Sequence, residues 1–226
     1  MPREITPMKV AIRSVARKLA SLTRARRPMR FPTYPPHVRR RIEQYHDDIR
    51  YSTLALALQR IESDRIEGAI AEVGVYQGAT SLFMHRQCPE RLLYLFDTFQ
   101  GFHSGDLESG PDERFKDTSL PVVRKLLGNS PTLRFRPGHF PETAEGLEAE
   151  RFALVMLDVD LYQPSLDVLR FFYPRLTRGG YFFMHDYNST ESERAVSRAA
   201  DAFMADKPEL LFEIPDYFGT AMFRKI

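Results

Sequence analysis

Phe152-Ala-Leu-Val-Met-Leu157 runs straight into Asp158-Val-Asp160, and this stretch decides the fold. Six apolar residues without polar alternation suit a strand covered on both faces, as in a parallel sheet with helices on either side. Tyr181-Phe-Phe-Met184 repeats the pattern and leads into His185-Asp-Tyr-Asn188. Working outward, seven short apolar runs can be placed: 69–75, 92–96, 133–136, 153–157, 181–184, 211–214 and 220–223. Helical stretches are expected between them at Thr80–Gln87, Leu120–Leu127, Gln163–Tyr173 and Glu193–Ala205, the third closed by Pro174 and the pair Gly179-Gly180. Alternation of this kind predicts an α/β sheet with crossover helices. Ligands in such sheets bind beyond the carboxyl ends of the strands, so the polar residues that follow each run are the first candidates for function.

The chain has 226 residues, enough for one domain with an extension, and its 43% hydrophobic and 27% charged residues are ordinary globular values. No long apolar run predicts a membrane span. Cys88 is the single cysteine, so no internal disulfide is possible and a cytoplasmic location is expected. Charge is divided unevenly: residues 1–50 carry 13 Lys+Arg against 4 Asp+Glu, and residues 51–226 carry 19 against 26.

The basic part is read as an extension over residues 1–36, ahead of a domain spanning 37–226. Met8, Ile12, Val15, Leu19 and Leu22 recur at helical spacing, with Arg13, Arg17 and Lys18 off the stripe. Such a helix can dock on its own domain, pack against another subunit in a homo-oligomer, or lie on an anionic membrane surface. Nucleic acid is not expected, because no aromatic residue interleaves with the basic ones before Phe31. Arg30-Phe-Pro-Thr-Tyr-Pro-Pro36 is read as an extended linker.

Five strand ends carry useful chemistry. Glu72-Val-Gly-Val-Tyr-Gln-Gly78 joins the first strand to the following helix, the context of a cofactor-cradling glycine loop, although a simple tight turn would also want small residues. Tyr76 stands where a dinucleotide loop wants glycine, so a nucleoside without phosphates fits better. Asp97 follows Gly74 by 23 residues, near the ~20-residue offset at which an acid meets ribose hydroxyls, or it caps the next segment. Residues 97–119, with three glycines and eight charged residues, read as a mobile loop and a candidate lid.

If strand geometry persists past Leu157, Asp158 and Asp160 project to one side about 7 Å apart. Paired carboxylates there call for a cation or a proton. With His185 and Asp186 on the equivalent edge, the four form an oxygen-rich cation site with one nitrogen candidate; a helix-capping Asp158 and an ordinary buried His185 are the alternatives.

Ala71–Gly78, Phe96-Asp-Thr-Phe-Gln-Gly-Phe102, Leu157-Asp-Val-Asp-Leu-Tyr162 and Gly179–Tyr187 together resemble the macrocin O-methyltransferase (TylF-type) family, over roughly residue 48 to the C-terminus. The resemblance implies a Rossmann-like class I methyltransferase: a seven-stranded, mostly parallel sheet of order 3-2-1-4-5-7-6 with helices on both faces. It also implies S-adenosylmethionine as cofactor, a small-molecule or glycan hydroxyl as acceptor, often a sugar, and magnesium. On the matching positions, Glu72, Gly74, Gly78, Ser81, Asp97 and Gly138 would contact the cofactor. Asp158, His185 and Asp186 would hold the metal, and Asp160 would be the catalytic base. The family usually reads Asp-Asp-Tyr where this chain reads His185-Asp-Tyr187, and a nitrogen donor there suits manganese or another transition metal better than magnesium. The acidic core points weakly to a neutral or cationic acceptor. Two other classes fit the strand-loop-helix pattern: a nicotinamide-dependent oxidoreductase, against which Tyr76 stands, and a non-catalytic binding protein.

Overall fold

The structure, a computed structural model, describes residues 36–42, 45, 47–108 and 110–226. The amphipathic stripe of Met8–Leu22 and the linker up to residue 35 lie outside the described residues. Among those described, no helix is long and apolar enough to cross a membrane.

Among the described residues, two helices, α1 (Pro36–Ile42) and α2 (Asp48–Ser63), precede the sheet. The sheet and its crossovers follow as β1 (Ala69–Val73), α3 (Ala79–Gln87), β2 (Leu93–Asp97), α4 (Leu120–Leu127), β3 (Leu133–Pro137), β4 (Phe152–Leu157), α5 (Tyr162–Phe172), β5 (Leu176–Met184), α6 (Ala195–Met204), β6 (Phe212–Ile214) and β7 (Thr220–Arg224). The strand order is β3-β2-β1-β4-β5-β7-β6, with β7 antiparallel to both neighbours, as expected.

Alternate side chains of each central strand enter opposite layers. Leu154 and Met156 of β4 join Ile70, Leu93 and Leu95 beneath α2, α3 and α4, packing with Leu58, Phe83 and Val123. Val155 and Leu157 join Ala71, Val73 and Phe96 beneath α5 and α6, packing with Leu169, Phe172 and Val196. Every residue of β4 is buried. Both faces of this strand are core, which is why its sequence shows no alternation. At roughly 1.5–3 kcal/mol for each fully buried Leu, Phe or Met, these two layers dominate stability.

Register then builds the site. Val73 pairs with Phe96 and with Leu157, and Leu157 pairs with Met184, so the strands end in one transverse row. The ladder continues one residue further: Gly74 N–H donates to Phe96 O, Asp158 N–H to Val73 O, His185 N–H to Leu157 O and Gly138 N–H to Asp97 O. Four expected site residues thereby stand along a single edge.

Strand β5 begins at Leu176, five residues before the expected Tyr181, and passes through Gly179-Gly180. A Cβ on Gly180 would lie 2.7 Å from Ala153 O, where the β4–β5 register shifts. The glycines admit close strand contact at this irregularity.

Candidate active site

A cavity of about 550 Å³ opens over the strand ends. Eight of the ten expected site residues line it: Glu72, Gly74, Asp97, Gly138, Asp158, Asp160, His185 and Asp186. Gly78 and Ser81 stand behind the wall. A Cβ on Gly78 would meet Val123 Cγ1 of α4 at 2.9 Å, and the Ser81 hydroxyl donates to the Glu72 carboxylate.

The glycine loop is shaped by close approach. Gly74 has φ +89°, and a Cβ there would sit 1.9 Å from the Asp158 backbone oxygen. No side chain is compatible with that contact. Glu72 occupies a core-facing position on β1, is fully buried, and has its pKa driven well above the carboxylate range by that burial. Tyr76, at φ +50°, turns its hydroxyl to Asp117 at 2.8 Å.

Asp97 is tied into the loop itself. Its Oδ2 accepts from the backbone N–H groups of Val75 and Tyr76 at 2.7 and 2.8 Å, and its Oδ1 from Phe99 N–H at 2.6 Å. Burial nevertheless raises its pKa, the three amide bonds opposing that shift. It is therefore a structural clamp on the glycine loop as well as a cavity residue.

The 97–119 segment has one short turn of 3₁₀ helix, Ser104–Asp106, and forms the outer wall. Phe115 stacks edge-on against Tyr76 and Phe102, and Thr118 Oγ1 donates to Tyr76 O. At the base of this wall His139 Nε2 meets Asp106 Oδ2 at 2.7 Å.

At the other end, three acidic side chains gather with His185. Its Nδ1 is 2.9 Å from Asp158 Oδ1 and 2.7 Å from Asp186 Oδ2. Carboxylates only accept, so Nδ1 carries the proton shared between them. Burial disfavours the charged ring, but the two carboxylates outweigh it and lift the His185 pKa to about 10. Burial likewise opposes ionisation of Asp158, yet His185 and Arg50 hold its pKa below the usual value. Asp186 is raised by burial against the pull of His185. The His185 Nε2 is buried and has no hydrogen-bond partner among the described residues.

Asp160 departs from the expected geometry. The strand stops at Leu157, and Asp160 adopts a left-handed φ of +61°, so simple strand alternation does not place it. Its carboxylate instead accepts from Ser192 Oγ at 2.8 Å. Burial, then the charges of Asp186 and Asp158, push its pKa up to about 7. Ligand atoms of Asp158, His185 and Asp186 lie within 4.8 Å of one another, a cluster that does not include Asp160.

Sequence reasoning missed Arg50 and Tyr51 of α2, Thr80 of α3 and Phe218, all of which line the cavity. No sequence signal singled out Arg50, because helix α2 also carries Arg60 and polar residues recur along its length.

Fold and site together define a Rossmann-like protein of the class I methyltransferase architecture, with its ligand cavity at the carboxyl edge. Solved structures agree: the O-methyltransferase NovP superposes with a TM-score of 0.65 at 21% identity, covering 79% of this chain and 80% of that one. The calicheamicin methyltransferase CalS11 gives 0.63 at 18% identity over 98% and 94%. The sequence profile described as macrocin-O-methyltransferase (TylF) matches residues 46–208, and the chain belongs to that family. One relative, a Streptomyces olivaceus 8-demethyl-8-(2,3-dimethoxy-alpha-L-rhamnosyl)-tetracenomycin-C 4'-O-methyltransferase, is 30% identical over 61% of this chain and 60% of its own length. Another, the mycinamicin III 3''-O-methyltransferase of Micromonospora griseorubida, is 28% identical over 67% and 68%. The matched region thus spans about three fifths to two thirds of these relatives.

Proposed function

We propose that this protein is an O-methyltransferase that moves the methyl of S-adenosylmethionine to a hydroxyl of a small molecule or glycan, with a sugar hydroxyl the favoured acceptor. The observation that carries this reading is geometric: Asp160, a buried carboxylate held by Ser192, lines the same cavity as the glycine loop. A sugar hydroxyl is a poor nucleophile, and a base matched to neutral pH is what its activation requires. The names of the two relatives, a rhamnosyl-tetracenomycin-C 4'-O-methyltransferase and a mycinamicin III 3''-O-methyltransferase, support the acceptor class.

The cavity volume suits a nucleoside cofactor. Glu72, Gly74, Asp97 and Gly138 would line its seat, with Gly78 and Ser81 supporting from behind. Bound there, S-adenosylmethionine supplies an electrophilic methyl on a sulfonium. Asp160 would take the proton of the acceptor hydroxyl as that oxygen bonds to the methyl carbon, while the methyl–sulfur bond breaks and its electron pair leaves on sulfur as the thioether S-adenosylhomocysteine. Ser192 holds the carboxylate in place, and the 97–119 wall excludes water from the reacting atoms.

The donor set of Asp158, Asp186 and His185 fits a divalent cation once the Nδ1 proton between the two carboxylates is lost, since a ligating imidazole must be neutral. Two carboxylates with one imidazole suit manganese, iron or zinc better than magnesium. A cation held by these residues would stabilise negative charge developing on the acceptor oxygen.

Calorimetric titration with S-adenosylhomocysteine, S-adenosylmethionine and NAD tests the cofactor reading against an oxidoreductase and a non-catalytic binder. Saturable binding of the two adenosyl thio-compounds without NAD binding is expected. NAD binding alone, or no binding of any of them, would overturn it.

A further inference from the structure

Helix α2 brings to the cavity wall a cation that no side-chain hydrogen bond holds. Arg50 lies in its first turn with only 16% of its side chain exposed. Its backbone N–H donates to the capping Asp47 carboxylate, but the guanidinium makes no such bond among the described residues. The nearest carboxylate oxygens are Asp158 Oδ2, 3.7 Å from Nη1, and Asp47 Oδ2, 3.8 Å from Nε, both beyond hydrogen-bond reach. Nε is buried and without a partner. A guanidinium presents five donors in a planar fork, and burying it without acceptors is costly.

The fork is held in place from one side. Its carbon sits 5.1 Å from the centroid of the Tyr51 ring, and the Tyr51 hydroxyl is 3.0 Å from Thr80 Oγ1 at the start of α3. Arg50 and the glycine loop therefore share one wall, and Glu72 lies on that wall as well. This buried carboxyl is hydrogen-bonded to Ser81 and lacks a cation at ion-pair distance among the described residues. A buried carboxyl favours a proton or a positive ligand group.

A guanidinium open to an acceptor and a carboxyl open to a cation, on one wall of one cavity, complement the two charges of an α-amino acid. The acceptor proposed above, a sugar hydroxyl, has neither charge; the methionine part of the cofactor has both. We infer that Arg50 binds the α-carboxylate of the cofactor's methionine moiety, with Glu72 facing its ammonium group. This rests on the S-adenosylmethionine reading of the cavity. Arg–carboxylate pairing of this kind is short and directional, so it would also fix the sulfonium end of the cofactor over Gly74.

The test compares S-adenosylhomocysteine with 5'-methylthioadenosine, which keeps the nucleoside and the thioether but lacks the amino acid. Both are titrated calorimetrically into the full chain and into the Arg50→Gln and Arg50→Lys variants. Arg50→Gln is expected to weaken S-adenosylhomocysteine by about 10- to 100-fold, Arg50→Lys by less than about tenfold, and neither to move 5'-methylthioadenosine by more than about twofold. The unchanged nucleoside affinity doubles as the check that each variant is folded. Unchanged S-adenosylhomocysteine binding in Arg50→Gln would overturn the assignment, as would equal weakening of both ligands. A wild-type chain that binds neither ligand would overturn the cofactor reading itself, and the role of Arg50 would fall with it.

Discussion

Ser192 Oγ donates a 2.8 Å hydrogen bond to Asp160 Oδ1, and both residues are buried. The bond favours the ionised carboxylate, against burial and the neighbouring charges of Asp186 and Asp158 that bring its pKa to about 7. A base acts only when deprotonated. Turnover should therefore rise with pH through the Asp160 pKa and level off above it, and a cation held by Asp158 and Asp186 should move that limb to lower pH than in the metal-free protein. Removing the bond in Ser192→Ala raises the Asp160 pKa, so the acidic limb of the pH profile of kcat should move to higher pH. An unshifted limb would separate Asp160 from the rate-limiting proton transfer.

Gly74→Ala should be among the most damaging single substitutions. The new Cβ falls 1.9 Å from the Asp158 backbone oxygen, and φ is +89°. The strained backbone alone costs about 1–3 kcal/mol, and relieving the clash must separate β1 from the β4 edge. Urea denaturation should show a loss of about 3 kcal/mol or more, the strain and the clash together. A loss under about 1 kcal/mol would show that the two strand ends part easily.

Asp97→Ala should weaken both stability and cofactor binding, because one carboxylate serves both. Three backbone N–H groups, of Val75, Tyr76 and Phe99, lose their acceptor. With about 1–3 kcal/mol for each buried donor left unpaired, and partial rescue by water, a loss of about 2–4 kcal/mol is expected by denaturant titration. S-adenosylhomocysteine affinity should fall by about tenfold or more as the loop relaxes. Full stability with weakened binding would make Asp97 a ligand contact alone.

The strands were legible because their chemistry is local. Phe152–Leu157 reads as a central strand since each residue meets a core layer, and the helix at Leu120–Leu127 carries apolar spacing and a clear glycine stop at Gly128. The site was legible as a set of strand ends, because register alone lines up Gly74, Asp97, Asp158 and His185. Two features were not. Asp160 depends on a left-handed residue just beyond a strand, which alternation cannot anticipate. Helix α2 places Leu54, Ala55, Leu58 and Ile61 in the core without a sharply one-sided apolar stripe, so neither the helix nor Arg50 announced itself. The partners of Asp97 and Asp160 are tertiary, and no spacing rule reaches from Asp160 to Ser192.

Metal preference should follow the residue at position 185. His185 can offer Nδ1 to a cation only by giving up the proton that lies between Asp158 and Asp186, so cation binding should release a proton. Calorimetric titration of metal-stripped enzyme should give tighter binding of manganese than of magnesium, and His185→Asp should shift the ratio toward magnesium by about tenfold. Identical metal ratios in the two proteins would remove His185 from the coordination set.

The most direct measurement follows the methyl group itself. Wild-type protein and Asp160→Asn are incubated with trideuteromethyl S-adenosylmethionine, a divalent cation and a series of rhamnosides, and the products are mapped by mass spectrometry and NMR. The account predicts label on a sugar oxygen with the wild type, a turnover lower by about two to four decades with Asp160→Asn, and S-adenosylhomocysteine affinity retained in that variant. Label on nitrogen or carbon, or equal turnover by the two proteins, would contradict it.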